Sequence, residues 1–165
     1  MTDYTNFQPL GETLKKAGLV SAAQVQVALI DRQYYRDFRV GEILAIRGWI
    51  GQQTADFFAD EWQFLVKQTN KYPLGYYLEK SGLLTEKQIN SILEEQKQLW
   101  IKFGAVAILQ GRLEKTTVDF FLNNLFPGAS LESPFIGRKN STQSTALADR
   151  TIVSTTDLED IPWID

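Results

Sequence analysis

The side chains best able to hold an anion are concentrated between Asp31 and Trp49. Arg32, Arg36, Arg39 and Arg47 are interspersed there with Tyr34, Tyr35 and Trp49. Such a mixture can take a dianionic nucleotide or, less fittingly, single-stranded nucleic acid, through guanidinium contacts and ring stacking. The competing reading, which the sequence favours, is a solvated surface on which these arginines pair with Asp31, Asp37 and Glu42. Glu94 with Glu95, and Asp157, Glu159 and Asp160, have the chemistry of acid–base partners or hard-cation ligands. A solvated helix face and an acidic tail account for them better. The chain has no Cys and no His, which removes disulfides, thiolates, the usual zinc sites, the Ser–His and Cys–His nucleophile pairs and the commonest general base near neutral pH. No catalytic residue and no metal ligand is expected, and the chain reads as a binding module.

The elements that position these residues are bounded by simple totals. At 165 residues, with 44% hydrophobic and 22% charged residues, the chain is long enough for a sizeable core. A net charge of −3 gives no general attraction to nucleic acid or anionic lipid. No apolar run reaches about 18 residues, and the start, MTDYTNFQPLGETLKK, lacks the basic and apolar regions of a signal peptide. A cytoplasmic protein without membrane insertion is expected.

A repeat organises the sequence. PLGETLKKAGLVSAAQVQVALIDR from Pro9, RVGEILAIRGWIGQQTADFFADEW from Arg39, PLGYYLEKSGLLTEKQINSILEEQ from Pro73 and KFGAVAILQGRLEKTTVDFFLNNL from Lys102 align without gaps. Their third place is Gly (Gly11, Gly41, Gly75, Gly104), and so is their tenth (Gly18, Gly48, Gly82, Gly111). Units one and three correspond at an offset of 64, and units two and four at 63, so a pair of units has been duplicated. The division expected is residues 1–66 for the first pair, 67–127 for the second and 128–165 for a flexible acidic tail.

Each unit reads as a short helix, a glycine stop and a longer helix. In the third, Pro73 suits the first helical turn, Gly82 the left-handed stop, and Thr85 with Gln88 a capping box. Ile89, Ile92, Leu93 and the later Trp100 then form the apolar stripe. Ser21 with Gln24 repeats the capping box in the first unit, followed by Val25, Ala28 and Leu29. Gly51 and Glu114 are weaker caps, but Phe57, Phe58, Trp62, Phe120, Phe121 and Leu122 are expected to supply most of the core. The fold class is therefore all-α, two tandem four-helix subdomains, with the eight glycines as hinges between short paired helices. Beyond Phe126 apolar residues are too few to offset the entropy of ordering the chain. Its DLEDIPWID stretch sets Ile161, Trp163 and Ile164 among Asp157, Glu159, Asp160 and Asp165. Two readings stay open: a motif that docks on a protein partner, or a tail that packs back on its own bundle.

The strings PLGETLKKAGLV, RVGEILAIRGWI and PLGYYLEKSGLLTEKQINSILEEQ resemble the doubled motif of the N-terminal domain of type II secretion and type IV pilus assembly ATPases, the MshE or GspE N-terminal type. The resemblance covers Pro9 to about Leu125. It implies a domain that binds cyclic di-GMP or docks onto other parts of the secretion or pilus machinery. Family motifs open with Arg, which can stack on guanine or pair with its O6 and N7, and close with Gln. Here the opening places are Pro9, Arg39, Pro73 and Lys102, and the closing places are Arg32, Trp62, Gln96 and Leu125. The resemblance thus implies nucleotide contacts from Arg32, Arg39, Gly11 and Gly41 in the first pair, and from Gln96, Lys102, Gly75 and Gly104 in the second. No GxxxxGK[ST] phosphate loop occurs, so the motor of those ATPases is not part of this sequence. The expectation is a free-standing regulatory or adaptor module with a protein partner, cyclic di-GMP as ligand and no resident cofactor. The alternative is a protein scaffold without a small ligand.

Overall fold

A computed structural model describes residues 8–128, and among them the chain is all α with no strand. The expectations for the tail, including a docking motif at Asp160, Ile161, Trp163 and Ile164, lie outside the described residues. The first pair comprises α1 (Leu10–Lys16), α2 (Ala22–Tyr34), α3 (Val40–Ile46) and α4, which runs without a break through Gln52–Asp56, a π turn at Phe57–Glu61, and Trp62–Lys67. The second comprises α5 (Leu74–Lys80), α6 (Glu86–Leu99), α7 (Phe103–Leu109) and α8 (Lys115–Leu125).

The stop and start of each unit follow from local chemistry. Gly18, Gly48, Gly82 and Gly111 all have φ between 66° and 74°, a region that costs glycine nothing because it lacks a Cβ. The residue after each returns its N–H to the short helix: Leu19 to the Leu14 carbonyl and Leu83 to the Leu78 carbonyl, both at 3.0 Å. Ser21 N–H donates to Gln24 Oε1 at 2.7 Å while Gln24 N–H donates to Ser21 Oγ at 3.2 Å. Thr85 and Gln88 repeat this at 2.8 and 3.3 Å. Gly51 and Glu114 make no side-chain cap.

The other four glycines are not hinges. Gly11, Gly41, Gly75 and Gly104 lie in the first turns of the short helices and are buried. Their role is close approach. A Cβ on Gly11 would stand 2.7 Å from Val25 Cγ1, and one on Gly104 2.7 Å from Val118 Cγ1, so only glycine lets the long helix of the same unit pack against the short one. Trp100 also departs from expectation. It does not extend the α6 stripe but ends the helix in the left-handed region at φ 56°, 85% exposed. Leu93 is exposed and Leu122 only half-buried.

The two pairs pack on each other. Phe57, Phe58, Trp62, Phe120 and Phe121 form one buried aromatic cluster, with Trp62 stacked on Phe120 at 5.1 Å and Phe58 meeting Phe121 at 5.9 Å between ring centroids. Phe58 and Phe121 occupy the same place in units two and four, so equivalent residues face each other. The flanking contacts are reciprocal. Gly18 of unit one lies against Thr116 of unit four, and Gly82 of unit three against Gln53 of unit two, where Thr116 and Gln53 again hold equivalent places. Thr117 Oγ1 donates to the Ala17 carbonyl at 2.8 Å, and Gln53 Nε2 to the Glu79 and Lys80 carbonyls at 3.3 and 3.1 Å. Each pair thereby caps a short helix of the other, as in a two-fold dimer written into one chain. Lys80 Nζ meets Glu61 at 2.6 Å, and that hydrogen bond holds the lysine above its ordinary range.

Candidate functional site

A cavity of about 500 Å³ opens where α1 and α3 begin, on the inner side of α2 and α4. Pro9, Leu10 and Gly11 border it from α1, Val25, Leu29 and Arg32 from α2, Arg39, Val40 and Gly41 from α3, and Ala55, Asp56 and Ala59 from α4. The spacing explains the assembly. Val25, Leu29 and Arg32 recur on one face of α2, and Ala55 and Ala59 are four apart on α4, one on each side of the start of the π turn. That turn adds a residue to the helix and brings Phe57, Phe58 and Trp62 all into the core, while Ala59 is left at the cavity.

Arg32, Arg39, Gly11 and Gly41, the residues expected for the first pair, thus stand around one space. Those expected for the second pair do not form its counterpart. The ring of Phe103 lies 3.3 Å from where a Gly75 Cβ would be, and Gly104 faces Val118. Gln96 is half-buried with its carbonyl accepting from Trp100 N–H at 3.0 Å, and Lys102 is the N-cap residue of α7.

The ionic arrangement differs from simple pairing of neighbours. Arg47 Nε hydrogen-bonds Asp31, and this bond holds the Asp31 carboxyl below the usual carboxylate range; the Arg47 guanidinium also lies over the Trp49 ring at 5.2 Å. Glu42 does not meet a guanidinium but accepts the backbone N–H of Arg39 at 2.6 Å, closing the first turn of α3. The Arg39 head faces Asp60 at 3.6 Å and is 77% exposed, a weak contact in high dielectric. Arg32, Arg36 and Asp37 make no ion pair among the described residues. Two cationic heads at the cavity rim are therefore available to a ligand.

Three carboxylates share the cavity, and each is engaged. Glu12 pairs with Lys15 at 2.8 Å, Asp56 accepts from Gln52 Nε2 at 2.8 Å, and Glu42 holds the Arg39 amide. The cavity thus offers an apolar floor, two guanidiniums and acceptor oxygens, the complement of a flat heterocycle carrying donors and a phosphate. Sequence reasoning missed Glu12, Asp56 and Ala59. The α2 stripe was visible in the sequence, but the π turn that places Ala59 leaves no sequence mark. Among the described residues no group of three metal-ligating side chains occurs, and no helix is long and apolar enough to cross a membrane.

No family model and no solved structure matches the chain. The chain is similar to an uncharacterized protein of Picosynechococcus sp., with 45% identity over 118 residues. The match covers 72% of this chain and 64% of that protein, so the chain spans under two thirds of its relative's length.

Proposed function

We propose that this chain is a non-catalytic regulatory adaptor whose first repeat pair takes a cyclic dinucleotide, cyclic di-GMP first among them, and whose repeat surface contacts a protein partner in pilus assembly or secretion, in the cytoplasm. The observation that carries the reading is that Arg32, Arg39, Gly11 and Gly41 surround one cavity of about 500 Å³. A guanine laid on Val25, Leu29, Ala55 and Ala59 would be desolvated on one face. Its O6 and N7 are the acceptors that a guanidinium reads as a pair, and its ring N–H and amino groups are donors suited to the cavity carboxylates. The phosphates would meet the second arginine.

Isothermal calorimetry with cyclic di-GMP tests this. One ligand per chain is expected, with binding weakened at least tenfold by Arg39→Ala and untouched by Lys102→Ala. An absence of heat at ligand concentrations well above micromolar would overturn it. A scaffold without a small ligand is the second reading, favoured by the three carboxylates that share the cavity with two arginines. It expects no heat and no melting shift, whereas a binder at a hundredfold its Kd stabilises the chain by about 2.7 kcal/mol.

A further inference from the structure

A second cleft, of about 370 Å³, opens at the α2–α3 corner on another face of α2, lined by Asp31, Tyr35, Phe38, Ile43, Ile46 and Arg47. Asp31 and Arg47, the charged residues of its wall, pair with each other. What remains is apolar and open to solvent, with Tyr35 60% and Ile46 68% exposed. The exposed Val27, Ile30 and Tyr34 continue this surface along α2. A neutral apolar cleft of this kind suits an uncharged ring, and contiguous apolar surface marks a contact site more often than a free face.

The equivalent corner of the second pair projects instead. Asp31 and Arg47 correspond by the repeat to Glu95 and Gln110, which are likewise hydrogen-bonded, and Tyr35 and Ile46 correspond to Leu99 and Leu109. Trp100 stands beside Leu99 there, 85% exposed, at φ 56°. A bulky residue rarely adopts that left-handed conformation, and the repeat does not demand it, because α2 ends at Tyr35 with φ −108°. A non-glycine residue held there is found chiefly at contact and switch sites, and Trp is among the residues most enriched in binding hot spots. We propose that the indole of Trp100 inserts between Tyr35, Phe38 and Ile46 in the cleft of a second copy of this chain. Within one chain Phe58 and Phe121 already join the two pairs through equivalent places, and the contact between copies repeats that rule at the corners. The exposed apolar side chains of the two corners together offer on the order of 1,200 Å², at the lower end of specific interfaces. A projecting ring on one pair meeting a receiving cleft on the other is a heterologous contact, so assembly grows with concentration.

Sedimentation velocity of the whole chain, from micromolar to millimolar concentration and without nucleotide, tests the contact independently of the cavity beside Gly11. The sedimentation coefficient of the native chain is expected to rise across that range. Trp100→Ala and Ile46→Asp, both at exposed sites, should each weaken association at least tenfold while the melting temperature holds. An equimolar mixture of the two variants should associate again and stop at a pair, because the intact ring of the Ile46→Asp copy meets the intact cleft of the Trp100→Ala copy. Phe64→Ala, which removes an exposed aromatic on α4 outside the cleft, should leave association unchanged. The proposal is overturned by a native chain that stays monomeric at millimolar concentration, by variants that associate as the native chain does, by a mixture that does not associate, or by a loss that Phe64→Ala reproduces.

Discussion

Gly11 and Gly75 hold the same place in the two repeat pairs, yet one borders an open cavity and the other lies beneath the ring of Phe103. The backbone plan is shared, so the difference resides in the side chains around it. Val40, Ala55 and Ala59 line the first cavity, and at an offset of 63 their counterparts are Phe103, Val118 and Leu122. Every one is larger. The first pair also has a π turn at this level of its long helix, where α8 is regular. One duplicated scaffold thus carries larger side chains at this place in its second pair than in its first. An unfilled apolar space costs contacts, so the cavity bordered by the smaller side chains is the better candidate for a ligand.

The shared aromatic core is the strongest link between the halves, and Phe121→Ala removes its central ring. Loss of about 3–5 kcal/mol is expected, with one calorimetric transition before and after. Two separate transitions in the native chain would show that the halves unfold independently. Closing the first cavity is the next test. Val40→Phe with Ala59→Leu copies the second pair into the first, and cyclic dinucleotide binding should fall by at least tenfold, equivalent to about 1.4 kcal/mol, while the melting temperature holds or rises. Retained binding would place the ligand elsewhere.

A smaller effect separates the ways the units begin. Ser21→Ala and Thr85→Ala each remove a capping box and should cost about 1 kcal/mol, whereas Glu114→Ala, which removes no cap, should cost a few tenths at most by denaturant titration. The smallest effect belongs to the Asp31–Arg47 pair, for which the second pair has Glu95 and Gln110 in hydrogen-bond contact. The folded-state value of Asp31 is depressed by its hydrogen bond, so its stabilisation is present above the ordinary carboxylate range and is lost as pH falls through the folded value. A small melting difference between the native chain and Asp31→Asn at neutral pH should vanish well below pH 4. A difference that persists in acid would rule the ion pair out as its source.

Much of this architecture was legible in the residues. The glycine stops, the capping boxes at Ser21 and Thr85 and the inward aromatic stripes depend on contacts a few positions apart, which spacing reports directly. Arg32, Arg39, Gly11 and Gly41 were grouped by the resemblance to the ATPase N-terminal motif, and they border one cavity. Trp100 was misplaced because periodicity carried the α6 stripe one turn too far, through a left-handed helix end that Trp rarely makes. The role of Gly11 and Gly104 was misread because a glycine needed for close packing looks in sequence like one needed for a turn.

The sequence by itself determined the unit, its four copies, their helical class and the chemistry available, since those rest on local backbone preferences and on the residue inventory. Only the tertiary structure decided that the two pairs clasp through Phe58 and Phe121, that Arg39 turns to Asp60 and not to Glu42, and that a cavity opens beside Gly11 and Gly41 while Phe103 lies on Gly75. Those outcomes depend on how side-chain volumes meet across helices distant in sequence, and a repeat pattern contains no record of that fit.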